Sequence, residues 1–89
     1  MPLDPEVKAE VIKKFARDES DTGSAEVQIA LLTARIKQVA EHMREHKQDT
    51  HNRRGLVMMV AKRNRLLRYL RRTDPDLYRK TIGELGLRK

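Results

Sequence analysis

Residues 51–72 read HNRRGLVMMVAKRNRLLRYLRR and carry eight Arg or Lys side chains but no Asp or Glu. The whole chain of 89 residues has 20 basic and 13 acidic side chains, which gives a net charge of +7. Removing the eight cations of this segment from the 20 leaves 12 basic side chains against 13 acidic ones. The positive charge of the protein is therefore concentrated in one segment.

On a helix with about 100° per residue, this segment has two distinct faces. An apolar arc of about 120° holds six side chains, Leu56, Met59, Val60, Leu66, Leu67 and Leu70. Tyr69 and every cation except Arg63 fall outside that arc. Arg63 falls inside it, where we expect its long side chain either to snorkel or to pair with an acid of a neighbouring helix.

The uncompensated cations of this face repel one another, at a cost in stability. The pattern therefore favours contact with a polyanion, and nucleic acid is the first candidate. A solvated basic face or an acidic protein partner remains the alternative. A basic amphipathic helix can also bind anionic membranes, but this apolar arc has no Trp or Phe and is needed for the core.

Composition predicts one small domain over residues 1–89, with a modest core because 38% of residues are hydrophobic and 37% are charged. There is no Cys, which excludes disulfides and thiolate zinc sites. No apolar run approaches the roughly 20 residues of a membrane span, and no signal peptide opens the sequence. We therefore expect a soluble, cytoplasmic protein that is monomeric when free.

Local signals predict an all-α fold of four helices, with no strand pattern. Asp4-Pro5-Glu6 begins a short first helix that ends near Ala16 or Arg17 and is loosely docked. Asp74-Pro75 repeats this start, and the last helix runs to about Leu85, before Gly86.

A long helix is predicted between these two ends, over residues 25–46, with Ser24 as its N-cap. Residues 47–54 connect it to the basic helix, which ends near Arg72. A short connection makes the two long helices antiparallel neighbours. The apolar spacing on the first of them predicts a coiled-coil-like seam of six residues, Ala25, Ile29, Leu32, Ile36, Val39 and Met43.

A polar stripe runs beside this seam. Gln28, Arg35, His42 and His46 lie within about 40° of one another, whereas Glu26, Glu41 and Glu45 lie elsewhere on the helix. The stripe either hydrogen-bonds to the partner helix or faces a ligand.

The corner Thr22-Gly23-Ser24 precedes the same helix. It is either an ordinary capped loop or a site where backbone N–H groups meet phosphate or sugar oxygens.

No catalytic motif is present, so the sequence predicts a protein that is not an enzyme and needs no cofactor. His42 and His46 have the i, i+4 spacing of helical zinc ligands, but there is no HExxH and cations surround them. We therefore predict no metal. Tyr69 lies among the cations, where its ring either stacks on a base or sugar or packs under a neighbouring loop.

Three segments carry a family resemblance: DTGSAEVQIALLTARI (residues 21–36), EHMREHKQDTHNRRGL (residues 41–56) and YRKTIGELGLRK (residues 78–89). With these motifs the chain resembles the bacterial ribosomal small-subunit protein fifteen family over essentially its whole length. The resemblance implies four helices, of which the first varies in orientation. It also implies binding to the central domain of 16S ribosomal RNA, at a three-way junction and a nearby G·U/G·C element, early in subunit assembly.

Further partners follow from the resemblance alone. They are the sixth and eighteenth small-subunit proteins, recruited through assembly, and the large-subunit RNA at an inter-subunit bridge. Some members also repress translation of their own messenger RNA.

The resemblance assigns candidate RNA contacts by motif. The junction would be met by Thr22, Gly23, Gln28, Arg35 and Tyr69. The G·U/G·C element would be met by His42, His46, Asp49 and Asn52. Phosphates would be held by Arg65 and Arg72, to which the basic face adds Arg53, Arg54 and Arg68.

Two positions depart from the family pattern. Asn52 stands where the family usually has Ser in an HSRRGL run, and Asn64 stands where it usually has a basic residue. Asn52 either keeps a minor-groove hydrogen bond or crowds it out. A sequence-neutral DNA-binding helical protein and an adaptor for an acidic protein remain the competing functions.

Overall fold

The computed structural model describes residues 3–18 and 23–87, which form four helices. They are α1 (Pro5–Phe15), α2 (Ala25–Glu45), α3 (Thr50–Thr73) and α4 (Pro75–Leu85). No strand occurs among these residues, and the all-α prediction is confirmed. None of the described helices is both long and apolar enough to cross a bilayer.

The predicted caps set the helix bounds. Asp4 accepts a hydrogen bond from the backbone N–H of Glu6 at 2.9 Å, and Asp74 accepts one from that of Leu77 at 3.2 Å. Gly86 ends α4 in the left-handed region, with φ of 69°, where an L side chain would be strained. These bounds agree with those predicted for the first and last helices.

The connection between the two long helices is shorter than expected. We predicted it to include residues 47–54, but α3 already begins at Thr50. The reason is that Asp49 is the N-cap of α3, and its carboxylate accepts a hydrogen bond from the backbone N–H of Asn52 at 3.1 Å. The basic helix therefore includes the polar segment that precedes Arg53.

The core lies where α2, α3 and α4 meet. Its central buried cluster is formed by Ile29 from α2, Leu70 from α3, and Tyr78 and Ile82 from α4. Within the predicted α2 seam, Ile29 and Val39 are buried and the other four members are partly buried. α2 and α3 pack against each other as the antiparallel hairpin that the short connection requires.

α2 is covered on more sides than its seam predicted. Val27 and Ala30 lie outside the seam, yet both are buried. α1 packs on α2 without burying any of its own residues completely, as expected for a short and shallow helix.

Glu26 is a buried acid that the sequence did not predict. We placed it only on the side of the helix away from the polar stripe, and it is 4% exposed. Arg17, just after α1, is hydrogen-bonded to it, with Nε lying 3.2 and 3.1 Å from the two carboxylate oxygens. Burial raises the pKa of this carboxyl, but hydrogen bonds from Arg17, its own backbone and Ser24 outweigh burial and hold the pKa below its usual value.

Candidate nucleic-acid interface

Four candidate residues meet where α2 turns into α3, and we call them the turn cluster: His42, His46, Asp49 and Asn52. Nε2 of His42 lies 3.1 Å from Oδ2 of Asp49. The imidazole rings of His42 and His46 stack with centroids 4.5 Å apart. The side-chain amide of Asn52 donates to Oδ2 of Asp49, while its backbone N–H donates to Oδ1. The helix cap thus gathers the predicted side chains at one place.

Asp49 is the electrostatic centre of the turn cluster. The backbone N–H of Asn52, the hydrogen bond with His42 and the side chain of Asn52 lower the pKa of Asp49 to about 2. At neutral pH the carboxylate is therefore ionised and can only accept hydrogen bonds. Nε2 of His42 must then carry the proton of this contact.

A second group lies at the other end of the hairpin, and we call it the loop-end group: Gly23, Gln28 and Tyr69. Nε2 of Gln28 donates to the carbonyl oxygen of Gly23 at 2.8 Å, which holds the loop corner against α2. Tyr69 is 50% exposed, and the guanidinium of Arg72 lies 6.0 Å from its ring centroid. Leu70 packs with Ile29 in the core, so its neighbour Tyr69 lies near the start of α2.

Arg35 lies between the two groups and is exposed on α2. Thr22, the remaining candidate for the junction, lies outside the described residues. From Gln28 to His42 there are 14 residues of helix, which span about 21 Å at 1.5 Å per residue. The α2 members of the two candidate groups are therefore about 21 Å apart along one edge of this helix.

The basic face of α3 is exposed along its length. Its candidate phosphate-binding residues, which we call the phosphate row, are all exposed: Arg53, Arg54, Arg65, Arg68 and Arg72. The ion pairs that the structure shows among described residues involve no cation of α3, although Arg53 also donates to the carbonyl oxygen of Lys47 at 2.8 Å. These guanidinium groups therefore lack an acidic partner from the described chain.

Arg63 is partly buried, as its position in the apolar arc predicted. Its Nε is buried and finds no hydrogen-bond partner among the described residues. It makes none of the ion pairs found in that part of the chain, so the expected pairing with a neighbouring acid is not formed.

Two features of this surface were missed by sequence reasoning. The first is the Arg17–Glu26 pair, which closes the loop that carries Gly23. The second is a cleft between α1, α2 and α3 that brings Lys8 and Lys62 beside Gln28 and Arg35. No periodic signal marks either feature, because each depends on how α1 lies on α2.

Within the described residues, no group of three or more His, Cys, Asp or Glu is arranged to hold a metal ion.

The fold and this surface define a small helical protein whose exposed cations suit a polyanion. The sequence model of the family described as Ribosomal protein S15 matches residues 8–88. The small ribosomal subunit protein uS15 of Thermotoga petrophila is 58% identical over 87 residues, 98% of this chain and 97% of that protein. Proteins of the same name from Arthrobacter sp. (strain FB24) and Haemophilus influenzae (strain PittGG) are each 56% identical over the full length of both chains. The chain belongs to this family, which confirms the resemblance that its motifs indicated.

Proposed function

We propose that this protein binds 16S ribosomal RNA at two places, a three-way junction and a nearby G·U/G·C element, early in assembly of the small subunit. Its family membership makes it a structural protein of the small ribosomal subunit, acting in the cytoplasm as part of the ribosome. The RNA targets come from the motif resemblance. Support for them comes from the two groups of side chains at opposite ends of the α2–α3 hairpin, whose α2 members Gln28 and His42 are about 21 Å apart along the helix.

The chemistry of the turn cluster supports the second target. Its acceptors include the remaining lone pairs of the ionised Asp49 carboxylate and Oδ1 of Asn52. In the shallow minor groove of RNA, guanine offers its N2 amino group as a donor. Both G·U and G·C pairs carry this donor. A cluster of acceptors held by a helix cap is therefore suited to such an element.

The arrangement around Asn52 also bears on its departure from the family pattern. One N–H of its amide is used by Asp49, so the side chain is fixed with Oδ1 as its acceptor. We propose that Asn52 keeps a minor-groove contact through this oxygen.

The loop-end group supports the junction as the first target. The exposed ring of Tyr69 offers a stacking surface for a splayed base or sugar, and Arg72 lies beside it for a phosphate. Gln28 fixes the corner at Gly23, where the chain enters the N-terminus of α2. Unpaired nucleotides at a junction expose the bases that such a surface can contact.

The phosphate row supplies affinity without sequence preference. If each of its five arginines neutralises one phosphate, a plot of the logarithm of the binding constant against the logarithm of salt concentration should have a slope of about −4.

By resemblance, the proposal extends to recruitment of the sixth and eighteenth small-subunit proteins, a contact with large-subunit RNA and repression of the protein's own messenger RNA.

The proposal is tested by comparing three ligands at about 0.2 M salt, where weak non-specific contacts fade. They are a three-way-junction RNA with the G·U/G·C element, a linear RNA duplex of the same length and a DNA duplex of the same sequence as the linear RNA. We expect the junction RNA to bind at least about tenfold more tightly than either duplex. Equal affinity for all three would favour the sequence-neutral DNA-binding alternative. No binding to any of them would favour the adaptor for an acidic protein.

A further inference from the structure

A cleft of about 550 Å³ is lined by residues of α1, α2 and α3. Each helix contributes one cation to its walls: Lys8 from α1, Arg35 from α2 and Lys62 from α3. We propose that this cleft binds one backbone phosphate of the RNA with its ribose, so that α1 forms part of the RNA-binding surface through Lys8. This inference rests on the proposed function and adds a phosphate site to it.

The charges of the cleft point to an anion. No acidic side chain occurs among the described residues that line it, so Lys8 and Lys62 present like charges to the cleft. Leu31 and Leu32 form apolar walls beside them. Such low-dielectric walls concentrate the field of the cations in the cleft, which raises the local concentration of anions. A phosphate reduces the repulsion between these two lysines, whereas an uncharged ligand does not.

The position of the cleft points to the RNA backbone as the source of that phosphate. Gln28 and Arg35 line the cleft, and both are proposed contacts of the three-way junction. A strand that follows the polar edge of α2 between these two residues passes directly over the cleft. Lys62 lies on α3 one turn before Arg65 of the phosphate row, so the cleft continues the basic face across α2 to α1.

The cleft also predicts an effect on α1. This helix buries none of its residues completely, so apolar contacts hold it only weakly. A phosphate shared by Lys8 and the two cations of the α2–α3 hairpin adds an attraction that the unbound protein lacks. Bound RNA should therefore slow amide hydrogen exchange in α1 of the wild-type protein.

The test compares Lys8→Gln with Lys13→Gln in the full-length protein. Both positions are exposed on α1, but Lys13 lies about 140° around the helix from Lys8 and does not line the cleft. Lys8→Gln should weaken binding to the junction RNA roughly threefold to tenfold and reduce the salt slope by at most about 0.7 to 0.9, since Arg35 and Lys62 remain in the cleft. It should also remove the slowing of exchange in α1. Lys13→Gln should match the wild type, and neither change should alter the thermal unfolding midpoint.

A double variant tests whether the lysines share one phosphate. The loss in Lys8→Gln/Lys62→Gln should be smaller than the product of the two single losses, since residues that share a partner are not additive.

Identical affinity, slope and α1 exchange in the Lys8 and Lys13 variants would overturn the inference. In that case a retained wild-type preference for junction RNA over the linear duplex would leave the proposed function intact. A wild type without that preference would overturn both.

Discussion

Nε2 of His42 lies 3.1 Å from Oδ2 of Asp49, and this contact joins the last turn of α2 to the N-cap of α3. Asp49 therefore has two roles in the structure. One of its oxygens caps the basic helix, while the other orients His42 and Asn52. The geometry of the candidate RNA contacts thus depends on the same carboxylate that sets where α3 begins.

The first prediction separates these two roles with Asp49→Asn. Asn is a good N-cap, so α3 should keep its start, but the carboxylate that contacts His42 and accepts from the amide of Asn52 is lost. Affinity for a junction RNA that contains the G·U/G·C element should fall roughly tenfold. Affinity for a junction RNA in which this element is replaced should not change.

Asp74→Asn is the matched control, because Asp74 caps α4 through the same type of hydrogen bond, far from the turn cluster in sequence. It should leave both affinities at the wild-type value. If Asp49→Asn weakened binding to the two RNAs by the same factor, the two-site account would be wrong.

The second prediction concerns acid. The pKa of Asp49 is lowered from 3.8 to about 2 in the folded protein, so folding favours the ionised form. Its contribution to stability is complete above about pH 4 and is lost as the pH falls towards 2. The difference in free energy of unfolding between the wild type and Asp49→Asn, measured with urea from pH 2 to 6, should shrink over this range. A difference that stays constant down to pH 2 would contradict the proposed role of the carboxylate.

The third prediction concerns the buried pair beside the loop. Arg17→Ala leaves the Glu26 carboxylate buried without its charged partner, which should lower the free energy of unfolding by about 1 to 3 kcal/mol. Arg44→Ala removes an exposed pair, in which Arg44 and Glu41 lie 3.9 Å apart, and should cost about 0.5 kcal/mol or less. Urea unfolding at neutral pH measures both. Equal effects would show that burial of Glu26 is not what makes its pair important.

The fourth prediction contrasts the two tyrosines. Tyr69→Leu should weaken binding to the junction RNA roughly tenfold by removing a stacking surface, with little change in stability because the ring is exposed. Tyr78→Leu changes a ring that is 8% exposed in the core cluster and should lower the unfolding midpoint instead. RNA titration and thermal unfolding of both variants check this pair. Unchanged RNA affinity in Tyr69→Leu would exclude the ring from the interface.

Local signals were sufficient for much of this fold. Asp4, Asp74 and Gly86 act on residues close to them in sequence, so their caps could be identified without knowledge of tertiary contacts. Helical periodicity likewise predicted that Tyr69 lies outside the core.

Tertiary contacts account for what was missed. Glu26 is buried, and its partner Arg17 lies nine residues earlier in the sequence. Lys8 lines a cleft with Lys62 because α1 packs on α2 rather than elsewhere. Periodicity identifies an apolar face of a helix, but it does not determine which neighbour covers the helix or from which side.

The central claim is that two groups of side chains at opposite ends of the α2–α3 hairpin recognise two places on one RNA. It is tested most directly by measuring the affinity of the wild-type protein, at about 0.2 M salt, for two RNAs. One is a minimal three-way junction with the G·U/G·C element, and the other is the same junction with that element replaced. The account predicts tight binding to the first and binding to the second that is weaker by roughly tenfold or more. Equal affinity for both would contradict it.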